Sequence, residues 1–319
     1  MLEASYSKLG STVDAPLLGE RFVNRNSALA VATGDRGRVA IATVCANLAN
    51  GKYQLERVSC LCGSRDNRCI AQVDRYRIPH CTVMCKRCGL LRTDPRMTAA
   101  AYVDFYTNHY RAIYERPDHD PDRYFAQQVI RGESRARFVM HDIVQPATSA
   151  SVAEIGCGAG WNLEPYRKRG WKAVGWDVDD SYLRLGKSRG LDLRHGLLPD
   201  ACVGGERFHL VVLSHVLEHF LDPIADLRAL KQILFPRGAL FIEVPSLFAA
   251  SQLTRYFQNA HTWSFVPQTL EATMRAAGFR RVELASLSWT LKLATMLARS
   301  NHEQANKDPH QAATPHLHP

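Results

Sequence analysis

From Ser151 onward the chain alternates short apolar runs with segments of helical spacing, and this alternation constrains its fold more than any other feature of its 319 residues. The runs are SVAEI (151–155), KAVGWD (172–177), LDLRH (191–195), FHLVVLS (208–214) and GALFIEV (238–244). Between them, 161–169, 180–188 and 223–234 carry apolar residues at helical spacing. In the last segment Asp222 is placed to cap a helix and Pro223 fits its first turn, while Ile224, Leu227, Leu230 and Leu234 share one face. Strands separated by helices pair in parallel, because a strand that returns in the same direction needs a crossover. A helix near Pro267–Ala277 and two late strand-like runs, RRVELAS and SWTLKLATM, complete the set. The expected fold is α/β, a seven-stranded sheet with helices on both faces, over residues 146–298.

In front of it, residues 1–55 form an extension with weak signals, apart from a helix near Arg38–Leu48 and a turn at Asn50-Gly51. Residues 56–98 are rich in cysteine, and 99–145 read as linking helices with Tyr102, Phe105, Tyr106 and Tyr110 at helical spacing. The tail, 299–319, is polar and rich in His and Pro and is expected to be disordered. An apolar content of 46% suits a packed core. No apolar run is long enough to span a bilayer and the first residues lack a secretory pattern, so the expected location is the cytoplasm, without a membrane partner. The net charge of +9 is spread along the chain rather than blocked into a nucleic-acid arm.

The first strand runs into Gly156-Cys157-Gly158-Ala159-Gly160 and a helix follows. Glycines permit a sharp turn and let a ligand approach the backbone. The second strand ends at Asp177, where a carboxylate can accept hydrogen bonds from both ribose hydroxyls. A dinucleotide fingerprint has G-x-G-x-x-G spacing; here the spacing is G-x-G-x-G, with Glu154 two residues before it. That pattern resembles motif I of class I S-adenosylmethionine-dependent methyltransferases. The resemblance runs on through Phe208–Ser214, His215–His219, Leu234–Gly238, Ile242–Pro245 and Ala277-Gly278-Phe279, covering about residues 150–285. It implies a Rossmann-like sheet that binds S-adenosylmethionine at the carboxyl ends of its strands. By that resemblance Gly156, Cys157, Gly158 and Gly160 cradle the methionine end, Glu154 lies near its amino group, and Asp177 holds the ribose. Leu197 contacts the adenine, and Ser214 faces the sulfonium.

Methyl transfer from a sulfonium needs an aligned acceptor and, for hydroxyl or carbon acids, a base. His215, Glu218, His219 and the distant His261 are the candidate catalytic residues. The L-E-H string also recurs in this superfamily as a structural link. His215-x-x-Glu218-His219 with His261 resembles, with histidine in place of a glutamate, a metal-binding arrangement in methyltransferases acting on small-RNA ends. A divalent ion beside the sulfonium and a metal-free histidine base are therefore both open readings.

Six of the nine cysteines fall between Cys60 and Cys88. Cys60-x-Cys62 and Cys85-x-x-Cys88, each followed by glycine, offer four thiolates to one structural Zn²⁺, with Cys69 or Cys81 able to replace a ligand and a metal-free cluster as the alternative. Together with Asp74-Arg75-Tyr76, Phe105-Tyr106 and Tyr110-Arg111, this region resembles the zinc-binding segment that precedes bacterial methyltransferases of sugar and polysaccharide biosynthesis. The expected function is methylation of a small molecule, with a nucleotide sugar or glycan precursor as one acceptor class. An RNA methyltransferase that docks nucleic acid through the zinc module is the alternative, and a cofactor-binding protein without activity the third.

Overall fold

The computed structural model describes residues 17–19, 22–23, 29–114, 120–142, 150–247, 256–285 and 293–299. Helix α1 (Asp35–Ala49) turns Ala40, Val44 and Leu48 into an apolar cluster with Tyr53, Ile78 and Met97. Strands β1 (Leu55–Glu56), β2 (Asn67–Val73), β3 (Pro79–Cys85), β4 (Leu91–Thr93) and β5 (Arg96–Met97) follow. β1 pairs with β5, while β2, β3 and β4 form an antiparallel sheet. The aromatic segment is helix α2 (Ala99–Phe105), a π-helical turn (Tyr106–Tyr110) and helix α3 (Arg111–Tyr114), and the long helix α4 (Pro121–Asp142) leads to the main sheet.

That sheet is built from β6 (Ser151–Ile155), β7 (Lys172–Asp177), β8 (Asp192–His195), β9 (Phe208–Ser214) and β10 (Leu234–Pro245). Helices α5 (Glu164–Arg167), α6 (Asp180–Lys187), α7 (Leu198–Val203) and α8 (Pro223–Gln232) alternate with these strands. After β10 come β11 (Trp263–Ser264), α9 (Pro267–Ala276), β12 (Arg281–Ala285) and β13 (Leu293–Arg299). The strand order is β12-β13-β10-β9-β6-β7-β8. The five strands from β10 to β8 are joined by parallel pairings; β13 runs antiparallel to both of its neighbours. The expected count of seven is thus a five-stranded parallel sheet extended by an antiparallel pair. As expected, the Asp222 carboxylate caps α8, accepting from the Ala225 N–H.

Alternation along the strands explains why their runs are apolar throughout. Val152, Ala173, Leu210, Val212 and Phe241 enter one cluster with Val139 and Tyr166. Their neighbours Ala153, Val174, Val211, Leu213 and Ile242 enter another with Leu227, Leu230 and Phe279. Both faces are buried, so period-two alternation carries no polar half. The chain leaves β6 toward β7 and β8, then returns to place β9 on the other side of β6. The ligand crevice of an open α/β sheet lies at this reversal, beyond the carboxyl ends of the strands.

The cysteine region is not a freestanding bead before this sheet. β11, which lies between β10 and α9 in the chain, pairs with β4 and completes the cysteine-region sheet, Trp263 opposite Arg92 and Ser264 opposite Leu91. Cys60, Cys85 and Leu90 share an apolar cluster with Trp263, Phe265 and one face of the main sheet. The tail expected from 299 lies, after Arg299, outside the described residues. Among the described residues no helix is long and apolar enough to cross a membrane.

Candidate active site and metal centre

The end of β6 and the end of β7 make the cofactor side of the crevice. Gly156, Gly158 and Gly160 all have positive φ, at 68°, 55° and 77°. A Cβ on Gly156 would lie 2.5 Å from Val216 Cγ2, and one on Gly158 2.5 Å from the Trp161 ring. The loop therefore needs glycine for space as well as for conformation. The Gly158 N–H donates to Asp177 Oδ2 (2.7 Å) and the Asp179 N–H to Oδ1 (2.9 Å), which fixes the Asp177 carboxylate against the loop. Burial pushes the Asp177 carboxyl upward.

Four expected cofactor residues sit in differing ways. Glu154 is buried; its Oε1 accepts from Asn162 Nδ2 (2.6 Å) while Oε2 has no partner, and burial pushes the carboxyl up to about 8. An unpaired buried carboxylate oxygen suits an amino-group ligand. Ser214 ends β9 with its hydroxyl 3.4 Å from Glu243 Oε1, and Leu197 lies exposed on the rim. Cys157 corrects the expectation. Its thiol is wholly buried against Gly175, where a Cβ would come within 2.6 Å of the sulfur, and its N–H donates to the Trp176 carbonyl. Neither group faces a ligand: Cys157 packs the loop onto β7.

Beneath the loop lies a buried ion pair that the sequence reading did not single out. Arg135 of α4 donates through Nε to Glu243 Oε1 (2.7 Å), again through Nη2, and through Nη1 to Asn162 Oδ1 (3.1 Å). Arg135, Glu243, Asn162 and Glu154 form one chain of contacts under the glycine loop. A glutamate inside the apolar run GALFIEV was the available signal, since a buried carboxylate needs a partner. Nothing in the sequence pointed to Arg135 as that partner.

The acceptor side gathers the four candidate catalytic residues. His215 follows β9 with φ at 59°, its N–H held by the Glu243 carbonyl (2.8 Å). A non-glycine residue in this conformation is uncommon and frequent at functional sites. Its ring is 45% exposed, with Nε2 3.7 Å from Glu243 Oε1 and Nδ1 3.7 Å from Glu218 Oε1. Partial burial and nearby Arg135 and Arg131 lower its pKa, against the pull of Glu243. His219 and His261 are differently placed. The His219 ring pairs through Nδ1 with the Ala260 carbonyl (2.8 Å) and the Tyr106 hydroxyl (2.9 Å), and burial brings it down to about 4. His261 is buried, and its pKa is held far below the usual range by burial and then by neighbouring His219 and cationic Arg75. Glu218 is 1% exposed with neither carboxylate oxygen hydrogen-bonded; burial and Glu243 push it up to about 8.

The cysteine region holds this side in place. The Thr93 N–H donates to the Thr262 carbonyl (2.9 Å) and its hydroxyl to the His261 carbonyl (3.0 Å). Thr262 in turn donates through N–H (2.9 Å) and Oγ1 (3.0 Å) to the Glu218 carbonyl. The supposed linking segment supplies a wall: Tyr106 packs on Tyr110 and His219, and burial pushes the Tyr110 phenol up to about 12, with Glu218 and Asp177 both within its field.

Cys60, Cys62, Cys85 and Cys88 converge, all four sulfurs within 4.8 Å of one another, with Cys60–Cys88 at 3.4 Å and Cys62–Cys85 at 3.6 Å. The sulfur–sulfur edge of a tetrahedron with Zn–S bonds of about 2.3 Å is about 3.8 Å, so the four fit one zinc ion. Although burial opposes it, the Cys88 and Arg87 N–H groups bring the Cys85 thiol down to about 6. Cys69 and Cys81 pack with Val83 in a separate apolar cluster and are not among the ligands.

Residues 126–284 match the family model described as a methyltransferase domain. The chain is similar to the ubiquinone biosynthesis O-methyltransferase of Azorhizobium caulinodans, 28% identical over 45% of this chain and 64% of that enzyme. It is also similar to that of Cereibacter sphaeroides, 27% identical over 50% of this chain and 74% of that enzyme. The match to the first of these thus spans less than two thirds of that enzyme's length. A methyltransferase of Archaeoglobus fulgidus described as SAM dependent superposes on 57% of this chain and all of its own, at 16% identity and a TM-score of 0.46. The curated relatives named here are O-methyltransferases of ubiquinone biosynthesis, not the sugar methyltransferases that the cysteine region resembles.

Proposed function

We propose that this chain, a methyltransferase with a class I S-adenosylmethionine-dependent domain over residues 126–284, methylates a hydroxyl oxygen of a small molecule, with a phenolic acceptor preferred. The observation that carries the reading is His215. Of the four candidate catalytic side chains it is the one that is half exposed, just past the end of β9 on a left-handed backbone, beside Glu218 and Glu243. Its imidazole takes the acceptor proton, the oxygen attacks the methyl carbon in line with the departing sulfur, and S-adenosylhomocysteine leaves. The glycine loop, Glu154 and Asp177 hold the cofactor. Tyr106 and Tyr110 give the acceptor side an aromatic wall, which favours a planar ring. O-methylation in the related enzymes supports the same reading. The four cysteines would hold one zinc ion that braces β3 and β4 and supplies no chemistry to the transfer.

The test is transfer of labelled methyl from S-adenosylmethionine to three acceptor sets: phenols and catechols, nucleotide sugars, and total RNA. Label on phenolic oxygen, with kcat reduced at least about a hundredfold in His215→Ala as for loss of a general base, is the expected result. Label confined to sugar carbon or to RNA would overturn it.

A further inference from the structure

Glu218, His219 and His261 each offer one ligand atom, and the three atoms lie within 4.8 Å of one another. We propose that these residues bind a divalent transition-metal ion on the acceptor side of the cleft, at a site separate from the four cysteines. The inference rests on the methyltransferase reading of the cleft and adds a metal to it.

The argument starts from the Glu218 carboxylate. It is 1% exposed, and neither oxygen receives a hydrogen bond. A carboxylate taken out of water needs a proton or a cation, because desolvation without a partner costs several kcal/mol. No lysine or arginine is paired with it among the described residues; the groups that face it are imidazoles, His261 Nε2 at 3.9 Å and His215 Nδ1 at 3.7 Å from Oε1. His219 is already oriented as a ligand. The Ala260 carbonyl takes the proton on Nδ1, which leaves the Nε2 lone pair free. Such a carbonyl partner is the usual outer-shell support of a metal-bound histidine. The Tyr106 hydroxyl reinforces it, 2.9 Å from Nδ1 and 3.2 Å from the Ala260 oxygen. The Gln258 amide nitrogen lies beside the His261 ring, 3.1 Å from Nδ1 and 2.5 Å from Nε2, so an ion on Nε2 would displace that amide.

Two neutral imidazoles and one carboxylate form a donor set for Mn²⁺, Fe²⁺, Co²⁺ or Zn²⁺ rather than for Mg²⁺ or Ca²⁺. Three protein ligands leave positions open for the acceptor oxygen. An ion held there would make an acceptor hydroxyl easier to ionise, and His215 would take its proton as the oxygen attacks the methyl group. The proposal also gives a role to buried Glu218 and His261 and half-buried His219, which are less open to solvent than His215.

The full chain, with its cysteine site loaded with zinc, is titrated with Mn²⁺ and followed by electron paramagnetic resonance, in which bound Mn²⁺ leaves the free-ion signal. One Mn²⁺ per chain is expected. Glu218→Gln and His261→Ala should weaken it at least about tenfold, and Tyr106→Phe by about tenfold, the scale of outer-shell losses. Circular dichroism and S-adenosylmethionine binding identify variants that remain folded, and Glu218→Gln keeps the side-chain volume. No Mn²⁺ binding, and no Co²⁺ or Zn²⁺ binding beyond the cysteine equivalent, would overturn the site. So would binding that the folded variants leave unchanged. A methyl-transfer assay run in parallel separates the two readings. Metal-free turnover on a phenol discards the metal and keeps the methyltransferase reading; Mn²⁺ bound without transfer to any hydroxyl discards the acceptor reading alone.

Discussion

The cofactor side of the cleft is assembled from residues close together in sequence, Glu154 to Asp177, whereas the acceptor side draws Thr93, Tyr106, Glu218 and His261 from four separate segments. The first is a strand, a glycine turn, a short helix and the next strand, held by hydrogen bonds such as Gly158 N–H to Asp177. The second exists only because β11 pairs with β4 and brings the 259–264 segment against the end of β9. Local geometry builds the glycine loop and its contact with Asp177. Long-range pairing gathers the candidate catalytic residues.

This contrast can be broken most sharply at the cysteines. Cys85→Ser should release the zinc and destabilise the chain by more than about 3 kcal/mol, because structural zinc binding is itself folding free energy. The β4–β11 pairing then makes the acceptor side the first casualty. Turnover should vanish while S-adenosylmethionine affinity, read by calorimetry, falls far less. Equal losses of both would show that the two sides are one cooperative unit. Elemental analysis of the wild-type chain prepared without chelator should find about one zinc in the cysteine site.

Asp177→Ala acts on the other side. S-adenosylmethionine binding should weaken by about 1.5–3 kcal/mol, the scale of a charge-assisted hydrogen bond, or about tenfold to a hundredfold in Kd. Mn²⁺ affinity should be unchanged, and NADH should not bind the wild type. Binding of NADH in place of S-adenosylmethionine would undo the assignment of the whole crevice.

The smallest effect tests the join itself. Thr93→Val keeps the shape of a 4% exposed side chain and removes its donation to the His261 carbonyl. A stability loss of about 1 kcal/mol is expected, with kcat lowered, S-adenosylmethionine Kd unchanged, and Thr93→Ser restoring most of the rate. A Thr93→Val enzyme with wild-type kcat would sever the cysteine region from the chemistry.

The parallel sheet, its glycine turn and Asp177 at the end of β7 were legible because each is a local pattern: an apolar run, a glycine cluster, an acidic strand end. Asp222 as the cap of α8 was legible for the same reason, since a cap lies within three residues of what it caps. The C-x-C and C-x-x-C pairs marked a candidate ligand set by spacing, but only the fold separated Cys60, Cys62, Cys85 and Cys88 from Cys69 and Cys81. The direction of β13 was not legible, because apolar periodicity is the same for a strand read either way.

Sequence by itself determined that this chain has a class I methyltransferase domain, and it marked Gly156, Gly158, Gly160 and Asp177 as candidates for its cofactor loop. It also brought His215, Glu218, His219 and His261 forward as equals. Tertiary structure set their surroundings apart. The left-handed turn after β9 exposes His215, whereas burial and the Ala260 carbonyl withdraw His219, and β11 carries His261 to Glu218 across 43 residues of chain. It likewise turned Cys157 inward and paired Glu243 with Arg135, which lies 108 residues away. The physical reason is common to all of these. Spacing along the chain specifies backbone conformation, but burial, partner and charge state depend on which segments the fold packs together.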